Sequence, residues 1–271
     1  VLADTVFFSF AEITDPARHR DYNEWHQLDH RPENLALEGV RHGERWVRTP
    51  GCARSSHVTD ERLAGTHYVN MYWFRSPWAT AFAEWQGLAE RSYQWGRRPE
   101  IEYTSRPLMG LFSTVRGYAA RRVLVAPDAL PFRPTRAVRL SLYRFDQAHS
   151  AATHAHLVEA DSHRIPALLE VPGVAGAWTF SSISTTLDPS WDAVPASATF
   201  DPSGRDRGLF RAELLFIDGD PAATARALAT PADTLAGAAG QEIFRSLLLP
   251  IQPWEWDWFD AQNGDVVGSG D

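Results

Sequence analysis

The chain has 271 residues, 44% of them hydrophobic and 22% charged, and carries a net charge of −8. That composition is globular, and the length suits one large domain or two ordinary ones. All 26 basic residues are arginine, which excludes Schiff-base and covalent pyridoxal chemistry and the lysine of a Walker A loop. The arginines are scattered among acids, so no basic stripe points to nucleic acid. The single cysteine, Cys52, excludes an internal disulfide and thiolate-rich metal sites. No apolar run reaches the roughly eighteen residues of a membrane span. The opening VLADTVFFSF lacks a basic n-region and a small-residue cleavage site, so a cytoplasmic location without membrane association is expected.

Residues 4–13, apolar and β-rich, read as a buried strand. Asp15-Pro16 opens a helix running to about Leu37, with a cap residue followed by proline in the first turn. Val40 to Val47 form a second strand, 48–64 a polar loop, and 66–74 a third strand. Ser76-Pro77 caps a helix whose Trp78, Phe82, Trp85 and Leu88 follow helical spacing, and a fourth strand falls near 107–116. After a proline-containing linker the order recurs: strand 136–145, helix 149–169, a strand beginning at AGAWTF, an insertion at 184–207, strand 209–217, helix 220–236 and strand 243–251. The alternating WEWDWF near the end suits one more short strand. The boundaries read as a first unit 1–117, a linker 118–134, a second unit 135–260 and a flexible tail 261–271.

The two βαββαβ units also match in sequence. HRPENLALEGV (30–40) parallels RIPALLEVPGV (164–174) in its proline, its apolar run and its Gly-Val, with Pro32 and Pro166 each seven residues before Gly39 and Gly173. A duplicated unit explains this. One such unit has helices on a single face of its sheet and leaves the other face bare. Two copies in one chain cover each other. The expected fold class is therefore α+β: two tandem ferredoxin-like repeats forming an intramolecular α+β barrel, as a monomer or a homodimer.

The run YNEWHQLDHRPENLALEGVRHGERW resembles the first helix and second strand of the dimeric α+β barrel superfamily, including its EthD-like group. The matching positions are Trp25, His30, Pro32, Gly39, Arg45 and Trp46, with Pro166, Pro172, Gly173 and Trp178 in the second half. His163 departs from the pattern, standing three residues before Pro166 where His30 stands two before Pro32. The resemblance implies a small-molecule pocket between sheet and helices. It also implies one of several activities: cofactor-free monooxygenase, cyclase, isomerase, dehydratase-like lyase or haem protein.

Tyr22, His26 and His30 recur at intervals of four and share a helical face, with Trp25 and Asp29 nearby. Histidine titrates near neutrality and suits general acid–base work, and a neighbouring tyrosine can steady a developing enolate. His30, His26 and Tyr22 are thus the catalytic candidates. Arg45, Trp25, Trp46, Tyr72, Trp73 and Asp29 are candidates for holding substrate, Arg45 by its planar fork. In strand 66–74 the set Tyr68, Asn70, Tyr72 makes a polar-aromatic face suited to a pocket wall. The histidine pair could also chelate a metal if His42 or His67 supplied a third ligand. Among His149, His154, His156 and His163 one could hold haem. Cys52 is a possible thiol nucleophile without a visible activator.

The leading expectation is an enzyme without organic cofactor or metal, using histidine acid–base chemistry on an aromatic, polyketide-like or alicyclic substrate. The alternatives are a haem- or metal-dependent oxidoreductase and a non-catalytic ligand-binding protein.

Overall fold

The computed structural model describes residues 3–187, 207–229 and 240–260. It is a mixed α+β structure built on one large antiparallel sheet. In the first half, β1 (Thr5–Ile13), β2 (Val40–Val47), β4 (Tyr68–Phe74) and β5 (Thr104–Ala119) lie side by side in the order β2-β4-β1-β5. In the second half, β6 (Ala137–Phe145), β7 (Val174–Thr185), β8 (Phe210–Ile217) and β9 (Gly240–Pro250) take the order β7-β8-β6-β9. The two sets join along β5 and β7, and again where Trp46 and Val47 of β2 pair with Pro250 and Leu249 of β9. A two-residue strand, β3 (His57–Val58), adds to the side of β9.

The alternation of the strands explains where the core sits. On β4, Val69, Met71 and Trp73 point into an interior shared with Leu140, Leu142, Phe180, Leu214 and Phe244 of the second half. Aromatic rings meet edge to face across it: Phe8 on Phe180 at 5.4 Å, Trp73 on Trp178 at 5.3 Å and Phe10 on Phe244 at 5.2 Å. Each such side chain contributes about 1.5–3 kcal/mol by leaving water. This is how the bare faces of the two half-sheets are covered.

The opposite face of each half-sheet carries helices. In the first half these are α1 (His19–Glu24), a π-helical turn at Trp25–His30, α2 (Arg31–Leu35) and, later, α4 (Trp78–Gln94), while the short α3 (Pro50–Arg54) lies against β9. In the second they are α5 (Ala151–Glu159), a π turn at Ala160–Arg164, α6 (Ile165–Leu169) and α7 (Pro221–Leu228). A single helix over 16–37 was expected. The break has a physical cause: Pro32 has no N–H, and its ring would strike the carbonyl four residues back, that of Leu28. The chain widens there, so that the Arg31 N–H reaches the His26 carbonyl five residues back. Pro166 imposes the same widening, with Ile165 N–H bonded to the Ala160 carbonyl.

Several local expectations hold and others change. The Asp15 side chain accepts from the Ala17 N–H at 3.0 Å, as its place before Pro16 implies. Ser76 makes no capping bond to α4, which starts after Pro77 without a side-chain cap. Strand β5 is longer than expected, and the 48–64 loop contains α3 and β3. WEWDWF is not a strand: after Pro253 the backbone turns, and Trp254 adopts φ +73°. The two Gly-Val turns need their glycines for different reasons. Gly173 has φ +94°, whereas a Cβ on Gly39 would stand 2.6 Å from that of Ala81 on α4. Most of the 184–207 insertion, the end of the 220–236 helix and the tail 261–271 lie outside the described residues. Among the described residues no helix is long and apolar enough to cross a membrane.

Candidate active site

The first half concentrates polar side chains between its half-sheet and the α1–π–α2 helix. The π turn sets the histidines close: the His26 and His30 rings lie 4.9 Å apart at 90°. His30 stacks on Trp25 at 4.7 Å, and His26 packs edge-on to Tyr22 and Trp25. Both imidazoles are buried, and His26 Nδ1 has no hydrogen-bond partner. Burial, followed by the charge of Arg45 for His26 and of Arg98 and Arg106 for His30, holds both well below the ordinary histidine range. They are therefore neutral at physiological pH, the state in which imidazole accepts a proton.

Arg45 projects from β2 beneath this helix and is 1% exposed. Its Nε donates to Asn70 Oδ1 at 3.1 Å, Nη2 to Asn23 Oδ1 at 3.1 Å and Nη1 to Gln27 Oε1 at 3.2 Å. Guanidinium only donates, which fixes how the amides are turned. Asn23 Nδ2 then donates to the Tyr68 hydroxyl at 2.8 Å, and Asn70 Nδ2 to the Tyr22 hydroxyl at 3.3 Å. The Tyr68 hydroxyl also meets His19 Nδ1 at 3.0 Å. Because Asn23 occupies one of its lone pairs, its proton is free to go to His19, which burial lowers to a pKa of about 4 and so keeps neutral. The rings of Tyr22 and Tyr68 lie 5.2 Å and 5.7 Å from the guanidinium carbon. Among the described residues no carboxylate lies within ion-pair reach of Arg45, so its buried charge is supported by dipoles and π faces alone.

Further positive charge borders Trp25. The Arg98 guanidinium carbon lies 5.6 Å from its ring centre. Arg98 Nε and Arg106 Nη2 share one buried carboxylate oxygen, Glu100 Oε1, at 2.8 Å and 3.0 Å. The indole N–H of Trp25 donates to the Arg97 carbonyl at 3.0 Å.

Tyr22, Trp25, His26, His30 and Arg45 thus come together. Tyr72 shares the helix-facing side of β4, but its hydroxyl accepts from Asn34 Nδ2 at 3.1 Å and its ring packs with Trp85. Burial raises its pKa to about 12, so it stays a neutral phenol. Trp46 and Trp73 belong instead to the interior between the half-sheets, and Asp29 is exposed. Alternation along β4 makes this unavoidable for Trp73, since adjacent strand residues face opposite ways. The sequence reading passed over Asn23, Gln27, His19, Arg98, Arg106 and Glu100. Neither His42 nor His67 completes a metal site with the histidine pair: His42 packs on Phe132, His67 against His19 and Phe259, and the described residues hold no group of three metal-binding side chains. Cys52 is buried.

The corresponding place in the second half is built differently. Counting from the paired prolines, Arg164 stands where His30 does, Ala160 where His26 does and Asp161 where Gln27 does. On the strands, Glu213 faces Thr179 as Asn70 faces Arg45. Arg164 Nη2 donates to Glu213 Oε1 at 2.6 Å, and Arg211 pairs with Asp161. His149, His154 and His163 are exposed, and His156 is half-buried.

Helix-backed half-sheets of order β2-β4-β1-β5, repeated, define the ferredoxin-like α+β class. A scan against family models and a search of curated proteins both return no match. Among solved structures, the fold is shared with an anthrone oxidase-like protein at TM-score 0.51 and 10% identity, covering 92% of this chain and 91% of that one. It is shared also with a proposed monooxygenase of Fusobacterium nucleatum at TM-score 0.53 and 7% identity, covering 93% and 94%. At such identities the likeness is one of fold.

Proposed function

We propose that the chain is a small-molecule enzyme that removes a proton from a carbon acid without an organic cofactor, using the paired imidazoles of the first half. The observation that carries this reading is that His26 and His30 are neutral, buried and in ring contact, while Arg45 holds an uncompensated positive charge beside them. In the proposed step a C–H bond next to a carbonyl breaks. The proton passes to an imidazole nitrogen, His30 being the base and His26 and Tyr22 its neighbours. The electron pair moves to the carbonyl oxygen, which the positive charges of Arg45, Arg98 and Arg106 around His30 stabilise. Trp25 forms an apolar wall for a flat ring. The resulting enolate can be reprotonated elsewhere, expel a leaving group, close a ring or meet dioxygen. Isomerase, lyase, cyclase and monooxygenase outcomes share this first step. The name of the anthrone oxidase-like neighbour makes anthrone a natural first carbon acid to try.

The same reading includes the architecture: a tandem duplication whose two ferredoxin-like repeats close as an α+β barrel. Repeated strand order, the paired π turns before Pro32 and Pro166 and the second seam at β2–β9 support it. The second repeat, with Arg164 in place of His30, is then a unit that has lost its base.

The test is proton exchange. Anthrone and cyclic 1,3-diketones are incubated in D2O with protein, and loss of the acidic C–H signal is followed by NMR. Catalysed exchange that falls about 100-fold or more in His30→Ala is expected. Exchange unchanged in a folded His30→Ala protein removes His30 from the role.

A further inference from the structure

The second half shows what the first half lacks. There, two buried guanidinium groups each have a carboxylate of the chain's own: Glu213 for Arg164 and Asp161 for Arg211. Those carboxylates occupy the positions that Asn70 and Gln27 hold in the first half. Asn70 and Gln27 are the two neutral amides that accept from Arg45. Around Trp25 and His30 the described residues place Arg45, Arg98 and Arg106 against one buried anion, Glu100, with the more exposed Arg97–Glu33 pair beside them. A buried cation without a counter-charge is costly, and a bound anion would relieve that cost. We propose that the first-half site takes an anionic ligand, an aromatic or alicyclic carboxylate that supplies to Arg45 the counter-charge that Glu213 and Asp161 supply to Arg164 and Arg211 in the second half.

Trp25, with the His30 ring 4.7 Å and the Arg98 guanidinium 5.6 Å from its indole, makes the surroundings of these cations aromatic, which suits a ligand that carries a ring. The planar fork of Arg45 matches a carboxylate, and amides in place of acids leave it available. The inference narrows the substrate class of the proposed enzyme and rests on that reading only for the location of the site.

The experiment compares 1-naphthoate with 1-naphthamide, a pair alike in shape and different in charge, by calorimetric titration of the full chain. Wild-type protein is expected to bind the naphthoate at least about tenfold more tightly. Asn70→Asp places an internal carboxylate against Arg45 Nε, at the strand position that Glu213 holds in the second half, and is expected to abolish that preference without unfolding the chain. Arg45→Gln is expected to abolish it too, and near-ultraviolet circular dichroism checks its fold. Equal affinity for the two ligands in the wild type, no binding of either, or a preference surviving in folded Asn70→Asp protein would overturn the proposal. Naphthoate binding without any proton exchange supports the anion site and defeats only the base role of His30, so the two readings fail separately.

Discussion

The imidazole of His30 lies on the indole of Trp25, ring centres 4.7 Å apart and planes 17° from parallel. The contact exists because the π turn brings both side chains to the same side of the helix, where an uninterrupted α-helix would set residues five apart about 140° from one another. Trp25 is fixed in turn by its N–H bond to the Arg97 carbonyl. Trp25→Ala should therefore cost about 3–5 kcal/mol of stability by cavity formation, and Trp25→Phe less. Both should lower the rate of proton exchange through a misplaced His30. Urea unfolding beside the exchange assay separates the two effects: a Trp25→Phe protein with wild-type exchange shows that the stacking does not position the base.

Acid should unfold this chain in a defined window. Burial keeps His19, His42 and His67 neutral in the fold down to about pH 4, while in the unfolded chain they take protons from about pH 6.5. His26 and His30 are depressed further. Between those limits the unfolded state binds more protons, so stability rises with pH and is lost as pH falls from about 6.5 towards 4. Each histidine contributes a slope of up to about 1.4 kcal/mol per pH unit. Chemical denaturation at pH 7.5, 6, 5 and 4.5 measures it. A stability flat across that range contradicts the burial of these rings.

The second half should tolerate loss of an acid poorly in stability and well in function. Glu213→Gln removes the buried carboxylate bonded to Arg164 at 2.6 Å. Breaking such a pair costs about 3–5 kcal/mol. Because the proposed chemistry lies in the other half, exchange per folded molecule should be unchanged. A large loss of exchange with little loss of stability would place function in the second half instead.

Much of the architecture was legible because it is written in hydrophobic alternation. Residues 66–74 could only be a strand with Val69, Met71 and Trp73 on one side, and the matched Pro-to-Gly spacing announced the repeated order. The same alternation should have separated Tyr72 from Trp73 as pocket candidates. The π turn has no composition of its own; only Pro32, by its clash with the Leu28 carbonyl, hints at it. Asn70 stood on a strand face suited to a pocket wall, whereas the amides Asn23 and Gln27 read as solvated polar residues until Arg45 is seen beneath them. Arg98, Glu100 and Arg106 join the site only through tertiary packing, which sequence spacing to the helix does not express. WEWDWF alternated like a strand, yet its rings serve as a cover: Trp256, Trp258 and Phe259 pack beside Tyr22 and Tyr68.

That cover yields the last prediction. Phe259 stacks on His19 with ring centres 3.9 Å apart, and Asp260 pairs with Arg20 at 2.8 Å. His19 meets the Tyr68 hydroxyl, Tyr68 meets Asn23, and Asn23 holds Arg45. Phe259 is thus linked to the guanidinium through three side chains. Breaking the exposed Arg20–Asp260 pair alone should matter little, since such pairs contribute at most about 1 kcal/mol. Tyr68→Phe removes the buried hydroxyl and leaves Asn23 Nδ2 and His19 Nδ1 short of a partner, at about 1–3 kcal/mol. Phe259→Ala uncovers His19, so the imidazole should regain its ordinary affinity for protons, with its pKa moving up from about 4 towards 6.5. NMR titration of the His19 ring in wild type and Phe259→Ala reads this directly. If the two curves coincide, Phe259 does not seal this edge of the site, and the route from Phe259 to Arg45 carries no influence.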